Sequence, residues 1–167
     1  MARQTSDRED LLRDATGLVE RIELQVPESK ESIVAGYRKN GALSVYFGEE
    51  TVYQFNTDFE LRRVFQSHHP IKAEAGELVV LRRVREKEQT TLHRRVLSDK
   101  EQNTLLAEAC QRLGRLAERL QLGDYHCTGK VPPDVAIEDR LQADLEHLVA
   151  QPIRIAAVPN VGHFRRK

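Results

Sequence analysis

The sequence is poor in cysteine: Cys110 and Cys127 are the two in 167 residues, too few for a disulfide framework. It has no apolar run near the ~18–20 residues that cross a bilayer. Its opening stretch, Met-Ala-Arg-Gln-Thr-Ser-Asp-Arg-Glu-Asp, has no signal-peptide hydrophobic region. These absences predict a cytoplasmic protein with reduced thiols and no membrane partner. Net charge is lacking as well. Twenty-six basic and 26 acidic residues cancel, so no global field favours nucleic acid or an anionic membrane. Also missing are a Gly-rich phosphate loop between strand and helix, a Cys pair at two-residue spacing and a His-Glu-x-x-His run. The sequence therefore offers no catalytic set, no metal ligand set and no cofactor motif, and it leans away from an enzyme.

What is present begins with size. A chain this long is most simply one domain with a proper core, and 40% hydrophobic with 31% charged residues is ordinary for a globular protein. Three stretches repeat every seventeen or eighteen residues: Tyr37-Arg-Lys-Asn-Gly41-Ala-Leu43, Phe55-Asn-Thr-Asp-Phe59-Glu-Leu61 and Lys72-Ala-Glu-Ala-Gly76-Glu-Leu78. Each reads as an extended run, a polar turn ending in Gly or Phe, and a strand opening on Leu. A hairpin repeat of this kind builds an antiparallel meander. Period-two alternation and turn signals predict strands over residues 21–26, 33–38, 42–47, 51–55, 60–66, 71–74, 78–85 and 90–97. Asn40-Gly41 is the strongest of the hairpin signals. Gly48-Glu-Glu and His68-His69-Pro70 read as further turns.

Helices flank the meander. Ser6 with Glu9 starts a short N-terminal helix, and Ser98 with Glu101 forms the clearest capping box in the chain. From there Leu105, Leu106, Ala109, Leu113, Leu116, Ala117 and Leu120 make one apolar stripe to about Leu122, with Arg112, Arg115, Glu118 and Arg119 on the other side. Residues 126–133 read as loop and linker. Asp134 caps a second helix to about Val149, and Ile153, Ile155, Ala157 and Val158 suggest a short last strand. The expected fold is α+β: an antiparallel β-meander of about seven or eight strands, open and twisted or a half-barrel, packed against the long amphipathic helix. Residues 1–150 form the domain, and 151–167 a short strand and basic tail.

Binding candidates come from two residue groups. Seven of the nine aromatics fall between Tyr37 and Phe65. Most read as sheet core, but Tyr37, Tyr46, Tyr53 and Phe55 are the candidates for lining an apolar-ligand cup. Because Tyr46 and Phe47 are neighbours on a strand, one of them faces away from whatever covers the other. Arg62, Arg63, Arg82, Arg83, Arg85, Arg94 and Arg95 are candidates for a positive stripe that holds an anionic partner, unless Glu60, Glu77, Glu86 and Glu88 pair with them across strands. Residues 36–98 carry 11 basic against 8 acidic groups, and residues 99–150 carry 6 against 10. The sheet region is thus basic and the helical region acidic. His68 and His69 point apart on an extended segment and need His93 or His126 to hold Zn²⁺. Cys110 reads as a buried inert thiol, and Cys127 beside His126 as a thiol without an orienting partner.

Tyr53-Gln-Phe55-Asn56-x-x-x-x-Leu61 resembles the hairpin unit of YD-type repeats, with Asn56 in place of the acid and Phe59 in place of the Gly. The resemblance implies a hairpin. Two functions follow from the residues themselves. One is a non-catalytic interaction or scaffold domain that uses its sheet surface to bind a protein or anionic partner. The other is a small apolar-ligand-binding barrel or cup lined by Tyr and Phe, with at most weak enzymatic activity. A protein partner or a homodimer fits the first; zero net charge and the lack of a binding motif weigh against nucleic acid.

Overall fold

Apolar residues alternate with polar ones from Glu20 onward, and the chain answers with one antiparallel sheet. The computed structural model describes residues 17–27, 32–48, 51–66, 69–131 and 137–156. Its strands are β1 (Glu20–Gln25), β2 (Ser32–Tyr37), β3 (Leu43–Phe47), β4 (Thr51–Phe55), β5 (Leu61–Gln66), β6 (His69–Glu74), β7 (Glu77–Glu86) and β8 (Gln89–Val96). Helix α1 (Asp99–Leu122), strand β9 (His126–Val131) and helix α2 (Ile137–Val149) follow. The spatial order is β8-β7-β6-β5-β4-β3-β2-β1-β9, so the sheet is an open meander with β8 and β9 at its edges. The expected N-terminal helix, His68, Glu49, Glu50, Asp134, Ala157, Val158 and the basic tail lie outside the described residues.

The three repeat turns share one backbone feature. Gly41, Phe59 and Gly76 occupy equivalent positions and all are left-handed, at φ 93°, 61° and 78°. Glycine does this freely, whereas Phe59 bears a cost of roughly 1–2 kcal/mol. Its ring offsets that cost by packing edge-on against His147 at 5.2 Å between centroids. Asn56 organises the same turn: its Oδ1 accepts from the amides of Asp58 and Glu60, each at 2.9 Å. A second glycine is demanded by closeness. A Cβ on Gly36 would sit 2.7 Å from Arg21 Cα and nearer still to Glu20 O, so only glycine lets β1 and β2 approach here.

Register then sorts the side chains onto two faces. A shift in the β4–β5 ladder between Gln54 and Phe55 leaves Arg62 unpaired, and so Leu61 and Val64, three apart, both point into the core. That face is roofed by α1, whose Leu105, Ala109, Leu113, Leu116, Ala117 and Leu120 are buried. The four leucines contribute roughly 6–12 kcal/mol of apolar burial. Helix length follows from topology. The chain must pass from β8 at one edge to β9 at the other, about 38 Å at the usual strand spacing, and a helix of 24 residues spans about 36 Å. Its ends are closed as anticipated. Ser98 Oγ accepts from the Glu101 amide at 3.2 Å, Glu101 Oε1 accepts from the Ser98 amide at 2.9 Å, and Gly123 ends the helix at φ 73°. On the opposite face Leu18, Tyr46 and Val52 form a smaller cluster with Val34 and Phe65.

Helix α2 packs along α1 and touches β1. Tyr37 ties it to the sheet: its hydroxyl donates to Asp144 Oδ2 at 2.6 Å, and the Arg140 guanidinium lies 3.8 Å from its ring centroid while pairing with Glu20 at 2.8 Å. Burial and the Asp144 carboxylate push the Tyr37 phenol well above the usual tyrosine range.

Three expectations are corrected. Residues 126–131 are not loop but strand β9, which covers the otherwise bare edge of β1 through Leu24–Cys127 and Gln25–His126 pairs. His69 and Pro70 do not interrupt the sheet; β6 begins there, with Pro70 opposite Phe65. Among the described residues, the expected last strand is reduced to a single parallel bridge of Ile155 to Leu61. Pairing between β5 and β6 stops at Arg63, which leaves only Leu61 N and O for Arg154 O and the Ala156 amide, at 2.7 and 2.8 Å.

Candidate functional site

The aromatics divide as neighbours on a strand must. Tyr37, Tyr53 and Phe55 are each 1% exposed on the helix-covered face, packed among the leucines of α1 and α2. Phe47 stacks edge-on to Tyr53 at 5.9 Å. Tyr46 points to the other face and is buried there, its hydroxyl 3.5 Å from Gln54 Nε2. The structure therefore brings Tyr37, Tyr53 and Phe55 together as packed core and leaves Tyr46 on the far side.

The arginines fall on a different feature. Strand β6 pairs with β7 only as far as Val80, while β8 stays paired to β7 out to Glu86. Strand β6 itself runs on to His69, level with Arg82, so residues beyond Arg82 form a two-stranded ribbon that projects about 13 Å past its neighbour. Every residue of β8 is solvent-exposed. Residues 81–95 carry six cations, Arg82, Arg83, Arg85, Lys87, Arg94 and Arg95, against two carboxylates, Glu86 and Glu88.

Cross-strand pairing leaves this charge uncompensated. Arg82 stands opposite His93, Arg83 opposite Leu92 and Arg85 opposite Thr90; Arg94 and Arg95 face Leu81 and Val80. The carboxylates expected to neutralise them are engaged elsewhere or point to water. Glu60 pairs with Arg154 at 2.9 Å, and Glu77, Glu86 and Glu88 are exposed. Arg94 does pair with Glu74, and Arg95 with Glu101 at 2.8 Å. Arg82, Arg85 and Lys87 are exposed and have no ion-pair partner among the described residues. Both faces of the ribbon are charged. Arg82 and Arg95 share the side of Val80, and Arg85 and Arg94 share the side of Leu81.

Arg62 and Arg63 lie apart from the ribbon. With Lys72, Glu74, Asn56 and Ala156 they line a groove of about 490 Å³ at the β5–β6 end of the sheet. A second groove, about 440 Å³, runs between α1 and β5–β8, where Gln66 donates to Glu108 at 3.0 Å. At the N-terminus of α1 beside it, the Glu101 amide is already held by Ser98 Oγ and the Ser98 amide by the Glu101 carboxylate.

Among the described residues no three His, Cys, Asp or Glu side chains gather as metal ligands. His93 contacts Thr91 at 3.2 Å on the ribbon, and His126 is exposed on β9. Cys127 donates weakly to Glu138 Oε2 at 3.5 Å, and Cys110 packs against the core. Sequence reasoning missed Lys72 and Lys87, which extend the two basic features. It also placed Arg112 on the solvent side of α1. Its guanidinium instead lies over the Phe47 ring at 5.4 Å with Nη1 buried, because the long aliphatic stem lets a flanking residue reach inward.

The chain matches no protein-family model, no curated protein and no solved structure.

Proposed function

We propose that the chain is a non-catalytic binding module that holds an anionic partner on the β7–β8 ribbon. The observation that carries this reading is the exposed set Arg82, Arg85 and Lys87, which stand opposite His93 and Thr90 or sit at the tip, with no ion-pair partner among the described residues. Like charges crowded on a ribbon repel, and a two-stranded ribbon wet on both faces gains little from burial. An anion reverses both penalties by neutralising the arginines and shielding the ribbon. Arginine suits the task because its planar fork donates two parallel hydrogen bonds to phosphate, sulfate or carboxylate.

The test uses a heparin oligosaccharide as polyanion. Binding is expected to weaken steeply between about 50 and 200 mM salt. The triple variant Arg82→Gln/Arg85→Gln/Lys87→Gln should lose most of it. Arg115→Gln, an exposed change on α1, should leave it intact. A triple variant that binds like the parent protein would show that the ribbon is not the site.

A further inference from the structure

Resting on that reading of the ribbon, we infer that its partner is B-form duplex DNA, with the ribbon seated in the major groove. The two-sided distribution of charge is the first reason. Arg82 lies on one face and Arg85 on the other, whereas Arg94 and Arg95 sit at the root in ion pairs with Glu74 and Glu101. A flat acidic protein surface can neutralise one face only, whereas a groove presents a phosphate rail on each side of whatever fills it.

Shape is the second reason. Two paired strands lie about 4.8 Å apart, and with side chains such a ribbon fills a major groove about 12 Å wide, but not a minor groove of about 6 Å. The major groove of A-form RNA is too deep and narrow for side chains to read. The ribbon's free reach of about 13 Å exceeds the groove's depth of about 8.5 Å, so its root stays clear of the duplex.

Chemistry of the tip is the third reason. Single-strand binding relies on aromatic side chains on which bases stack. Residues 81–95 contain no aromatic side chain other than the imidazole of His93, and the sheet tyrosines are buried. The ribbon offers cations and small polar groups, Thr90 and Thr91 among them, which suit phosphate oxygens rather than base faces. The balanced charge of the whole chain does not oppose this, because the local excess of cations is what the phosphates meet.

Fluorescence anisotropy with a labelled duplex of two helical turns tests the inference. The same sequence as single strand, a duplex RNA and polyglutamate serve as rivals. The expected result is tightest binding to duplex DNA, with log K falling linearly in log salt. Arg82→Gln/Arg85→Gln/Lys87→Gln should reduce that slope by about 3, near one unit per lost phosphate contact. Arg82→Lys/Arg85→Lys should keep most of the slope, since phosphate contacts need charge more than the fork. Circular dichroism matching the parent confirms that each variant folds. Single strand, duplex RNA or polyglutamate binding as tightly as duplex DNA would overturn the groove inference. If the triple variant still lost heparin binding in that case, the ribbon would remain the anion site. Loss of neither heparin nor DNA binding in the triple variant would overturn both.

Discussion

Ala75 is held at φ 55° and Gly76 at φ 78°, so the two-residue loop between Glu74 and Glu77 has both central residues left-handed. That geometry matches the twist of the flanking strands but favours Asn-Gly over Ala-Gly. Ala75 is exposed and gains nothing in packing for the conformation it adopts. Ala75→Asn should therefore stabilise the protein by about 1 kcal/mol. Thermal melting should show a midpoint raised by roughly 2–4 °C for a chain of this size. No rise, or a fall, would mean that the turn is not strained as described. Phe59 is the contrasting case. It is also left-handed, but its ring sits against His147, so the same repair there would remove a contact as well as a strain.

At the scale of the element, the start of α1 is set by Glu101. Its carboxylate accepts from Arg95 Nη1 at 2.8 Å and from the Ser98 amide at 2.9 Å. The Arg95 hydrogen bond first, and the Ser98 amide second, hold its pKa down from 4.5 to about 2. A folded-state pKa below the unfolded one means stability that is fully present above pH 4.5 and lost as pH falls toward 2. Glu101→Gln should be less stable than the parent at neutral pH, and the gap in denaturation midpoint should close on acidification through that window. A gap independent of pH would show that the carboxylate's charge plays no part.

The same element shows what was legible in the sequence. The capping box, the leucine stripe and the closing Gly123 are local signals, each written in residues a few positions apart, and each is found in place. The repeat turns are local too, since Leu43, Leu61 and Leu78 each follow a left-handed residue by two. Strand β9 was not legible. His126-Cys-Thr-Gly-Lys-Val131 has no alternation, and it becomes a strand because β1 presents an unpaired edge, a fact about residues 100 positions away. Arg112 misled for a related reason: periodicity assigns a Cα to a face and is silent on where a long side chain ends. In the candidate site, the arginine pairs were plain in the sequence. Their placement on a ribbon was not, because it depends on the β6–β7 ladder ending at Val80 while β7 and β8 stay paired to Glu86.

For the whole molecule, the division of labour is spatial. The core lies between the sheet and its two helices, while the β7–β8 ribbon stands outside it and, beyond Leu81, buries almost nothing. Arg82 and His93 are directly paired in a hydrogen-bonded position, two steps along from Leu78 and Leu97 and then Val80 and Arg95, so replacing residues 83–92 with Asn-Gly would join them by a two-residue turn. This shortened chain should fold and melt within a few degrees of the parent, about 2–4 °C per kcal/mol lost. A large drop in melting temperature would show that the ribbon supports the core. If the shortened chain melts normally and loses heparin binding, stability and binding have been separated cleanly.

The long span of α1 has a consequence for synthesis. When a ribosome has released the first hundred residues, eight strands are already out, yet nothing exists to seal the greasy hollow they form. The lid is made next, and the strand that flanks β1 comes only after it. Until then the nascent polypeptide exposes Leu24, Phe55, Leu61 and their neighbours to water. Production should therefore reward conditions that protect half-made chains, such as slower translation or a holdase that grips apolar surface.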